Sequence, residues 1–158
     1  MDETINQPMS IIGGIPPWVQ MYFERLSKKS NKKIKDLFSN FSLYIYGGVN
    51  YEPYRKSIES IIGEKVPSVE LFPASEGFIA YQNSQKDDGL LLCVNHGLFY
   101  EFVEASSFFD KKPKRVSLDG VSLNVNYVII LNTNSGLWGY NIGDTAVSYT
   151  HLTLPTIE

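Results

Sequence analysis

The chain has 158 residues, of which 43% are hydrophobic and 20% are charged, and its formal net charge is −3. The length allows one domain or at most two, and the apolar content excludes a disordered chain, which could not bury enough surface to offset its conformational entropy. The single cysteine excludes a disulfide framework and any zinc site built from several cysteines. The small acidic balance gives no general attraction to nucleic acid.

The sequence also argues against a membrane location. No apolar run approaches the roughly 20 residues that a membrane-spanning helix needs. The N-terminal stretch MDETINQPMS has neither the basic nor the apolar region of a signal peptide. The acidic balance and the lone cysteine fit a cytoplasmic protein.

The first helical pattern begins at two prolines. Pro16 and Pro17 are tolerated only ahead of a helix or in its first turn. The apolar face predicted for this helix consists of Trp18, Met21, Tyr22 and Leu26. A short helix through residues 34–38 follows a lysine cluster. We interpret that cluster as a solvated helix end, because no aromatic residue is interleaved for base stacking.

A strand, a glycine turn and a helix follow in order. The strand at residues 42–46 stops at Gly47 and Gly48. The next helix is predicted from Asn50, a good N-cap residue, to Gly63, and another strand follows at 66–72. This order indicates an α/β unit with a buried sheet. The glycine pair leaves bare backbone that a planar or anionic ligand can approach, although Gly-Gly turns are common.

The second half of the chain is rich in strand signals. Two predicted strands flank a polar turn and indicate a hairpin. The predicted strands are 78–82, 90–94, 98–103, 127–131 and 137–140, with a polar connection over 105–120. Cys93 lies within an apolar run, so it is expected to be a small core residue with a raised pKa. His96 is interpreted as a turn residue.

Two further segments combine small residues with a carboxylate at predicted strand ends. Residues 72–77, FPASEG, contain Glu76, and a glutamate beside a phosphate can hold Mg²⁺. Residues 140–144, YNIGD, contain Asp144, which can accept hydrogen bonds from ribose hydroxyls. Each segment alone is more simply a turn with a solvated carboxylate. With the glycine pair they indicate a nucleotide site, because ligands of open α/β sheets gather at strand carboxyl ends.

These segments resemble motifs of the auxin-responsive GH3 family, which are acyl-acid amido synthetases among the adenylate-forming enzymes; its bacterial members are the more similar. The resemblance runs from about Ile12 to Asp144. Beyond the glycine turn, it rests on an aromatic-x-x-Ser-Glu-Gly motif at 72–77, an aromatic-aromatic-Glu-Phe strand at 99–102 and a Tyr-x-x-Gly-Asp motif at 140–144. Their shared order and spacing make the resemblance specific.

The resemblance implies a fold and a reaction. The fold is mixed α/β, a fragment of the large N-terminal domain of an adenylate-forming enzyme, with a mixed sheet, flanking helices and a strand-rich second half. The implied reaction uses ATP and Mg²⁺ to convert a small carboxylic acid to an acyl-adenylate. The acyl group is then transferred to an amine such as an amino acid.

The resemblance also implies roles for individual residues. It assigns nucleotide binding to Gly47, Gly48, Ala74, Ser75, Glu76 and Asp144. Glu76 is the expected catalytic and Mg²⁺-binding residue, and Asp144 is expected to hold the ribose. Phe99 and Tyr100 are expected to flank adenine or the acyl group.

The chain also departs from the family pattern. Gly139 stands where many family members have arginine, and Pro73 and Ala74 replace the Gly/Ala and Ser of the plant form. No counterpart of the family's phosphate loop or mobile C-terminal domain is present, so we expect an internal fragment that is inactive alone. Residues 1–147 are assigned to the large domain. Residues 148–158 resemble translated sequencing-adapter read-through and are expected to be non-native, the alternative being a genuine terminal strand.

Two other functions stay open at this point. One is an acyl-CoA synthetase-like enzyme, whose acceptor is a thiol. The other is a non-catalytic module that binds a nucleotide or an acyl group. The expected partners are small carboxylic acids and amino acids together with the missing parts of the parent chain, and no nucleic acid or membrane.

Overall fold

The computed structural model describes residues 2–86, 89–148, 153–154 and 156–157. The chain divides into two compact units, Met1–Leu71 and Phe72–Glu158, here called the first and the second unit. Each unit is described by itself.

The first unit alternates helices and parallel strands. Its elements are α1 (Asp2–Ile5), β1 (Ile11–Gly13), α2 (Pro16–Ser30), α3 (Ile34–Leu37), β2 (Leu43–Tyr46), α4 (Glu52–Ile62) and the start of β3 (Ser68–Ala74). Strand β2 pairs in parallel with β1 and with β3, and Tyr44 lies opposite Ile12 and Ser68. Because parallel strands need crossover connections, helices separate them along the chain. The α/β unit predicted from the sequence is therefore present.

The face predicted for α2 is correct at Leu26 and wrong at Trp18 and Met21, which corresponds to a small rotation of the helix. Beyond Pro16 in its first turn, α2 buries Val19, Phe23 and Leu26, whereas Trp18 is 68% and Met21 45% exposed. Residues 19, 23 and 26 have the i, i+4, i+7 spacing of one helix face. The predicted residues 18, 21, 22 and 26 also follow a helical spacing. Periodicity alone could not choose between two apolar stripes about one position apart.

Helix α4 ends at the residue that the sequence indicated and begins one residue later than predicted, because Tyr51 and not Asn50 is the N-cap residue. The Asn50 side-chain oxygen accepts a hydrogen bond from the backbone N–H of Glu52 at 2.9 Å. The helix ends at Gly63, whose φ of +100° is a conformation that favours glycine. Ile58 and Ile62 are buried against the core of this unit, which includes Phe41. The strand-turn-helix prediction is confirmed.

The second unit is built from antiparallel strands. They are the end of β3 and then β4 (Gly77–Tyr81), β5 (Leu90–Leu92), β6 (Leu98–Glu104), β7 (Arg115–Val116), β8 (Asn126–Thr133), β9 (Tyr140–Val147), β10 (Thr153–Leu154) and β11 (Thr156–Ile157). Strands β4 and β5 pair antiparallel, with Ala80 opposite Leu92, which confirms the predicted hairpin. A five-stranded sheet, separate from the one that contains β4 and β5, has the strand order β11-β9-β8-β6-β7. The predicted mixed α/β class with a strand-rich second half is confirmed.

The last strand lies later in the chain than the predicted 137–140. Strand β9 begins at Tyr140, so residues 140–144 lie inside a strand and not in a turn that follows one. Gly136 and Gly139 have φ values of +105° and +59°. Such conformations do not occur in regular strands, so the chain turns at 134–139. The connection over 105–120 also contains β7, which the polar composition did not predict.

Part of the segment 148–158 lies outside the described residues, namely 149–152, 155 and 158. The backbone of 153–154 pairs antiparallel with β5, and that of 156–157 pairs antiparallel with β9. The expectation that this segment is non-native stays a prediction.

The core of the second unit lies beneath one face of its five-stranded sheet. Ile79, Leu90, Phe102 and Ile129 are among its fully buried side chains. Cys93 is 5% exposed, and burial raises the pKa of its thiol, so the prediction of a core cysteine is confirmed. In the part of the chain that the structure describes, no helix is both long enough and apolar enough to cross a bilayer.

Candidate functional site

Glu76 lies in the tight turn that connects β3 to β4. Ala74 is the last residue of β3 and Gly77 the first of β4, so Ser75 and Glu76 alone form the turn. Ser75 is exposed, and Glu76 is half-buried. A Cβ atom at Gly77 would lie 2.9 Å from side-chain carbons of Leu98. Gly77 therefore lets the turn approach β6 closely, which explains the glycine after the glutamate.

Asp144 lies in an irregular part of β9. Val128 of β8 pairs with Thr145, whereas Ile130 pairs with Asn141, so residues 142–144 lie opposite the single residue 129. Gly143 has a φ of +89°, and its N–H donates to the Asn141 side-chain oxygen at 2.9 Å. Such bulges redirect side chains from the regular strand alternation. The bulge presents Asp144 as an exposed carboxylate.

The two carboxylates predicted to bind the nucleotide lie within range of each other's charge. The pKa of Asp144 is raised above its usual range, first because burial removes part of its hydration and second because the Glu76 carboxylate repels its charge. Glu76 comes from a turn and Asp144 from a bulge far along the chain. The fold of the second unit therefore brings together two acidic residues that the sequence had related only by their motifs.

This pair fits a hard divalent cation. A cation beside the carboxylates would offset the repulsion that raises the pKa of Asp144. Mg²⁺ in nucleotide sites is commonly held by one or two carboxylates together with phosphate and water oxygens. Within the described ranges, no group of three or more His, Cys, Asp or Glu side chains could hold a metal. Phosphate and water oxygens would therefore complete the coordination shell.

Gly47 and Gly48 lie in the first unit, between β2 and α4. Gly48 has a φ of +81°, and the nearest atom that a Cβ there would meet lies 3.9 Å away. The turn is followed by Tyr51, whose ring packs on Tyr44 and Tyr46 with centroid distances of 5.2 and 4.9 Å. The predicted adenine-binding turn is therefore anchored on a cluster of tyrosines.

Charged side chains surround this tyrosine cluster. The Arg55 guanidinium carbon lies 4.4 Å from the centroid of the Tyr51 ring, within the range of cation–π contacts. Arg55 also donates to Glu52 at 2.7 Å, which holds the pKa of Glu52 below its usual range. The Tyr46 hydroxyl donates to Glu70 at 3.3 Å, and burial raises the pKa of Tyr46. These contacts hold the backbone on both sides of the glycine turn.

Phe99 and Tyr100 do not share a pocket. Consecutive strand residues point to opposite faces. Tyr100 is 5% exposed and lies in the core, where its hydroxyl donates to the Cys93 carbonyl at 3.2 Å and burial raises its pKa. Phe99 is 59% exposed and lines a cavity of about 480 Å³. Of the two aromatic residues, Phe99 is the one placed to contact a ligand in this cavity.

A charged cluster beside this cavity was not selected from the sequence. Glu101 accepts hydrogen bonds from Arg115 of β7 and Asn132 of β8. The Arg115 guanidinium also lies against Gly139, with Nη1 3.0 Å from where a Cβ would be. The absence of a side chain at 139 thus leaves space for Arg115. A carboxylate between aromatic residues in a strand was the available sequence signal, but its partners come from strands that pattern analysis could not align.

Comparison with solved structures assigns the fold. AtGH3.15 acyl acid amido synthetase in complex with 2,4-DB has 18% identity and a TM-score of 0.62, covering 83% of this chain and 24% of that one. For 2-hydroxyisobutyryl-CoA ligase in complex with 2-HIB-AMP and CoA, identity is 12% and TM-score 0.63, covering 94% and 32%. Apo MatB from Rhodopseudomonas palustris has 10% identity and a TM-score of 0.57, and the match covers 98% of this chain and 32% of that one. The chain therefore has the fold of an adenylate-forming enzyme domain and spans about a quarter to a third of these proteins.

The comparison with family models finds one match, which covers part of the chain. Residues 91–158 match the model of the GH3 family central domain. The resemblance to the GH3 family predicted from the motifs is therefore confirmed. The comparison with curated proteins finds no match.

Proposed function

We propose that the chain is part of an ATP-dependent acyl-acid amido synthetase. The observation that carries the proposal is that the Glu76 and Asp144 carboxylates, both in the second unit, lie within range of charge repulsion. A turn and a bulge on different strands supply these carboxylates. The match of residues 91–158 to the GH3 central domain supports the same function.

The proposed roles follow from the chemistry of each group. Glu76 holds Mg²⁺ beside the phosphates, and Asp144 accepts hydrogen bonds from the ribose hydroxyls. Ser75 offers a hydroxyl and Ala74 a backbone group to the base or to the adenylate phosphate. The Gly47–Gly48 turn contacts adenine in this proposal, whereas Tyr100 has no ligand contact in it because its side chain is buried in the core.

The proposed reaction has two steps. A carboxylate oxygen attacks the α-phosphorus of ATP, so that pyrophosphate leaves and an acyl-adenylate forms. The nitrogen of an amine then attacks the acyl carbonyl, loses a proton, and AMP leaves. Mg²⁺, when bound, neutralises charge on the phosphate oxygens. The chain's own residues position the nucleotide, and positioning of reactants can supply a large part of the rate.

We further propose that a longer cytoplasmic parent enzyme performs this reaction. The supporting fact is that the chain spans 24% of AtGH3.15 and 32% of the CoA ligase. The remaining phosphate contacts and the acceptor site would come from other parts of the parent. The 158-residue chain alone is therefore expected to bind adenine nucleotides weakly and to be inactive.

A second candidate function is acyl-CoA synthesis. The specific observation in its favour is the TM-score of 0.63 to 2-hydroxyisobutyryl-CoA ligase, beside 0.62 and 0.57 to the amido synthetases. Both reactions share the adenylation half. They differ in the acceptor, which is a thiol in one and an amine in the other.

Isotope exchange between pyrophosphate and ATP in the full-length parent tests the adenylation step. Exchange is expected to require a carboxylic acid and to fall at least about 100-fold in Glu76→Ala, the size of effect seen when one electrostatic contact to the transition state is lost. The matched control is Glu104→Ala, because Glu104 is an exposed carboxylate at the end of β6. Full exchange in Glu76→Ala would remove the magnesium role. Supplying amino acids or CoA and identifying the product then separates the two candidates.

A further inference from the structure

The cavity beside Phe99 has a chemical character that the adenylation reaction does not use. It has a volume of about 480 Å³, within the range of small-molecule sites. It opens on the face of β6 and β8 that lies opposite the core of the second unit. Its lining includes Gly97, Phe99, Glu101, Asn132, Thr133 and Trp138.

Two exposed aromatic rings form the apolar part of this cavity. Phe99 is 59% exposed and Trp138 is 81% exposed. Exposed rings of this size lose favourable burial, and because both line this cavity they give it apolar surface next to polar groups. Trp138 lies in the turn between β8 and β9, whereas Phe99 lies near the start of β6. The strands pair Phe99 with Asn132, which places an aromatic ring and an amide on the same face.

The polar part of the cavity is an anchored carboxylate. Oε2 of Glu101 accepts a hydrogen bond from Nδ2 of Asn132 at 3.0 Å and another from Arg115 at 3.3 Å. Oδ1 of Asn132 in turn accepts from the Gly139 N–H at 2.8 Å. The side chain of Glu101 is 26% exposed, so the network fixes it without covering it.

One carboxylate oxygen remains available for a ligand. A carboxylate offers about four lone-pair positions. Both hydrogen bonds of Glu101 fall on Oε2, and no group among the described residues donates to Oε1. Arg115 is not part of the lining. Of the described residues that line the cavity, Glu101 alone is charged.

We propose that this cavity binds a small organic ammonium ion that carries an apolar group. Oε1 of Glu101 accepts a hydrogen bond from the ammonium group, and this hydrogen bond is charge-assisted because both partners are ionised. The faces of Phe99 and Trp138 attract the cation and contact the apolar group. The rigid carboxylate favours a primary ammonium over a neutral alcohol of the same shape. This site is independent of the nucleotide site and of the proposed function.

Titration of the whole chain with phenethylammonium, followed by NMR, tests the site. The chain has two tryptophans, and each gives one indole N–H signal. The signal of Trp138 is expected to shift with saturation, whereas that of Trp18, exposed in the first unit, serves as an internal control and stays in place. Affinity is expected to be roughly millimolar for a ligand of this size. The neutral analogue 2-phenylethanol is expected to bind at least about tenfold more weakly.

Substitutions separate the charged from the apolar contribution. Glu101→Gln keeps the acceptor for Asn132 and Arg115 and is expected to reduce phenethylammonium affinity at least about tenfold while leaving 2-phenylethanol unchanged. Glu104→Gln on the same strand is the matched control and should have no effect. Trp138→Ala is expected to weaken binding several-fold, whereas removal of another exposed ring by Phe109→Ala should not.

Each contrary result overturns the proposal. Equal affinity for the amine and the alcohol would show an apolar cavity without ammonium recognition. Unchanged phenethylammonium affinity in Glu101→Gln would show that the carboxylate does not bind the ammonium group. An unshifted Trp138 signal at saturating ligand would show that the ligand does not bind in this cavity. If Glu101→Gln fails to fold by circular dichroism, the comparison of phenethylammonium with 2-phenylethanol on the unsubstituted chain decides the question, and Trp138→Ala, followed by backbone amide signals, tests the apolar contact. Its side chain is 81% exposed, so its removal leaves the core intact.

Discussion

The bulge at Gly143 is the feature on which the position of Asp144 depends, and Gly143→Ala perturbs it directly. Gly143 has a φ of +89°, and nothing lies within 4 Å of the position that a Cβ would occupy. The substitution therefore creates no clash, and its cost is the strain of a side chain in the left-handed region. That strain is about 1–2 kcal/mol.

Gly136→Ala provides a control of matched stability. Gly136 has a φ of +105°, and a Cβ there also meets nothing within 4 Å. Its expected cost is again about 1–2 kcal/mol. It lies in the turn before β9 and not in the bulge that holds Asp144. Gly143→Asn should cost less than Gly143→Ala, because Asn tolerates the left-handed conformation better.

Two assays distinguish the local from the global effect. Urea denaturation followed by circular dichroism should show similar losses of stability for Gly143→Ala and Gly136→Ala. Titration with AMP should show at least about tenfold weaker binding for Gly143→Ala alone, since a displaced Asp144 loses charge-assisted hydrogen bonds to the ribose. Unchanged stability of Gly143→Ala would contradict the bulge geometry. Equal weakening by Gly136→Ala would show that Asp144 has no special role.

Three further predictions concern the core and the titrating groups. Phe23→Ala should lower the free energy of unfolding by about 3–5 kcal/mol, because Phe23 is fully buried. Trp18→Ala should lower it by less than about 0.5 kcal/mol. A larger loss in Trp18→Ala than in Phe23→Ala would support the helix face predicted from the sequence. Because the pKa of Asp144 is raised in the folded chain, the folded state binds more protons between the unfolded and folded pKa values, so stability falls as pH rises through that window. Carbon NMR titration should show a lower pKa for Asp144 in Glu76→Gln, and an unchanged value would argue against their proximity. Cys93 should react with a thiol reagent at least about tenfold more slowly in the folded chain than in urea, because burial raises its pKa; equal rates would show that the thiol is accessible.

Local patterns predicted the elements whose ends carry strong residue preferences. The strand before Gly47, the helix that begins after Asn50 and its end at Gly63 follow from turn and cap chemistry. The β4–β5 hairpin follows from strand residues on both sides of a polar turn. These features are determined within a few residues of chain, so pattern analysis could place them.

Features that depend on distant pairing were not predictable in the same way. The start of β9 at Tyr140 depends on how two glycine residues turn the chain before it. The burial of Phe23 in place of Trp18 depends on which side of α2 the rest of the first unit covers. The bulge at Gly143 is visible only in the register of β8 and β9.

The candidate site shows the same division. The motifs named Glu76 and Asp144, but their proximity follows from strand pairing in the second unit. For residues 99 and 100, strand alternation already implied opposite faces. What the sequence could not state was which face is the core, and the structure assigns that face to Tyr100.

Glu76 and Asp144 are proposed to hold a magnesium nucleotide. The most direct measurement replaces Mg²⁺ by Mn²⁺, whose unpaired electrons broaden nearby NMR signals, and titrates the chain with Mn²⁺ and ATP. The expected result is broadening of amide signals at 74–77 and 143–145, lost in Glu76→Gln and kept in Glu104→Gln. Broadening that is unchanged in Glu76→Gln, or that affects other amide signals of the second unit instead, would contradict the assignment of this site.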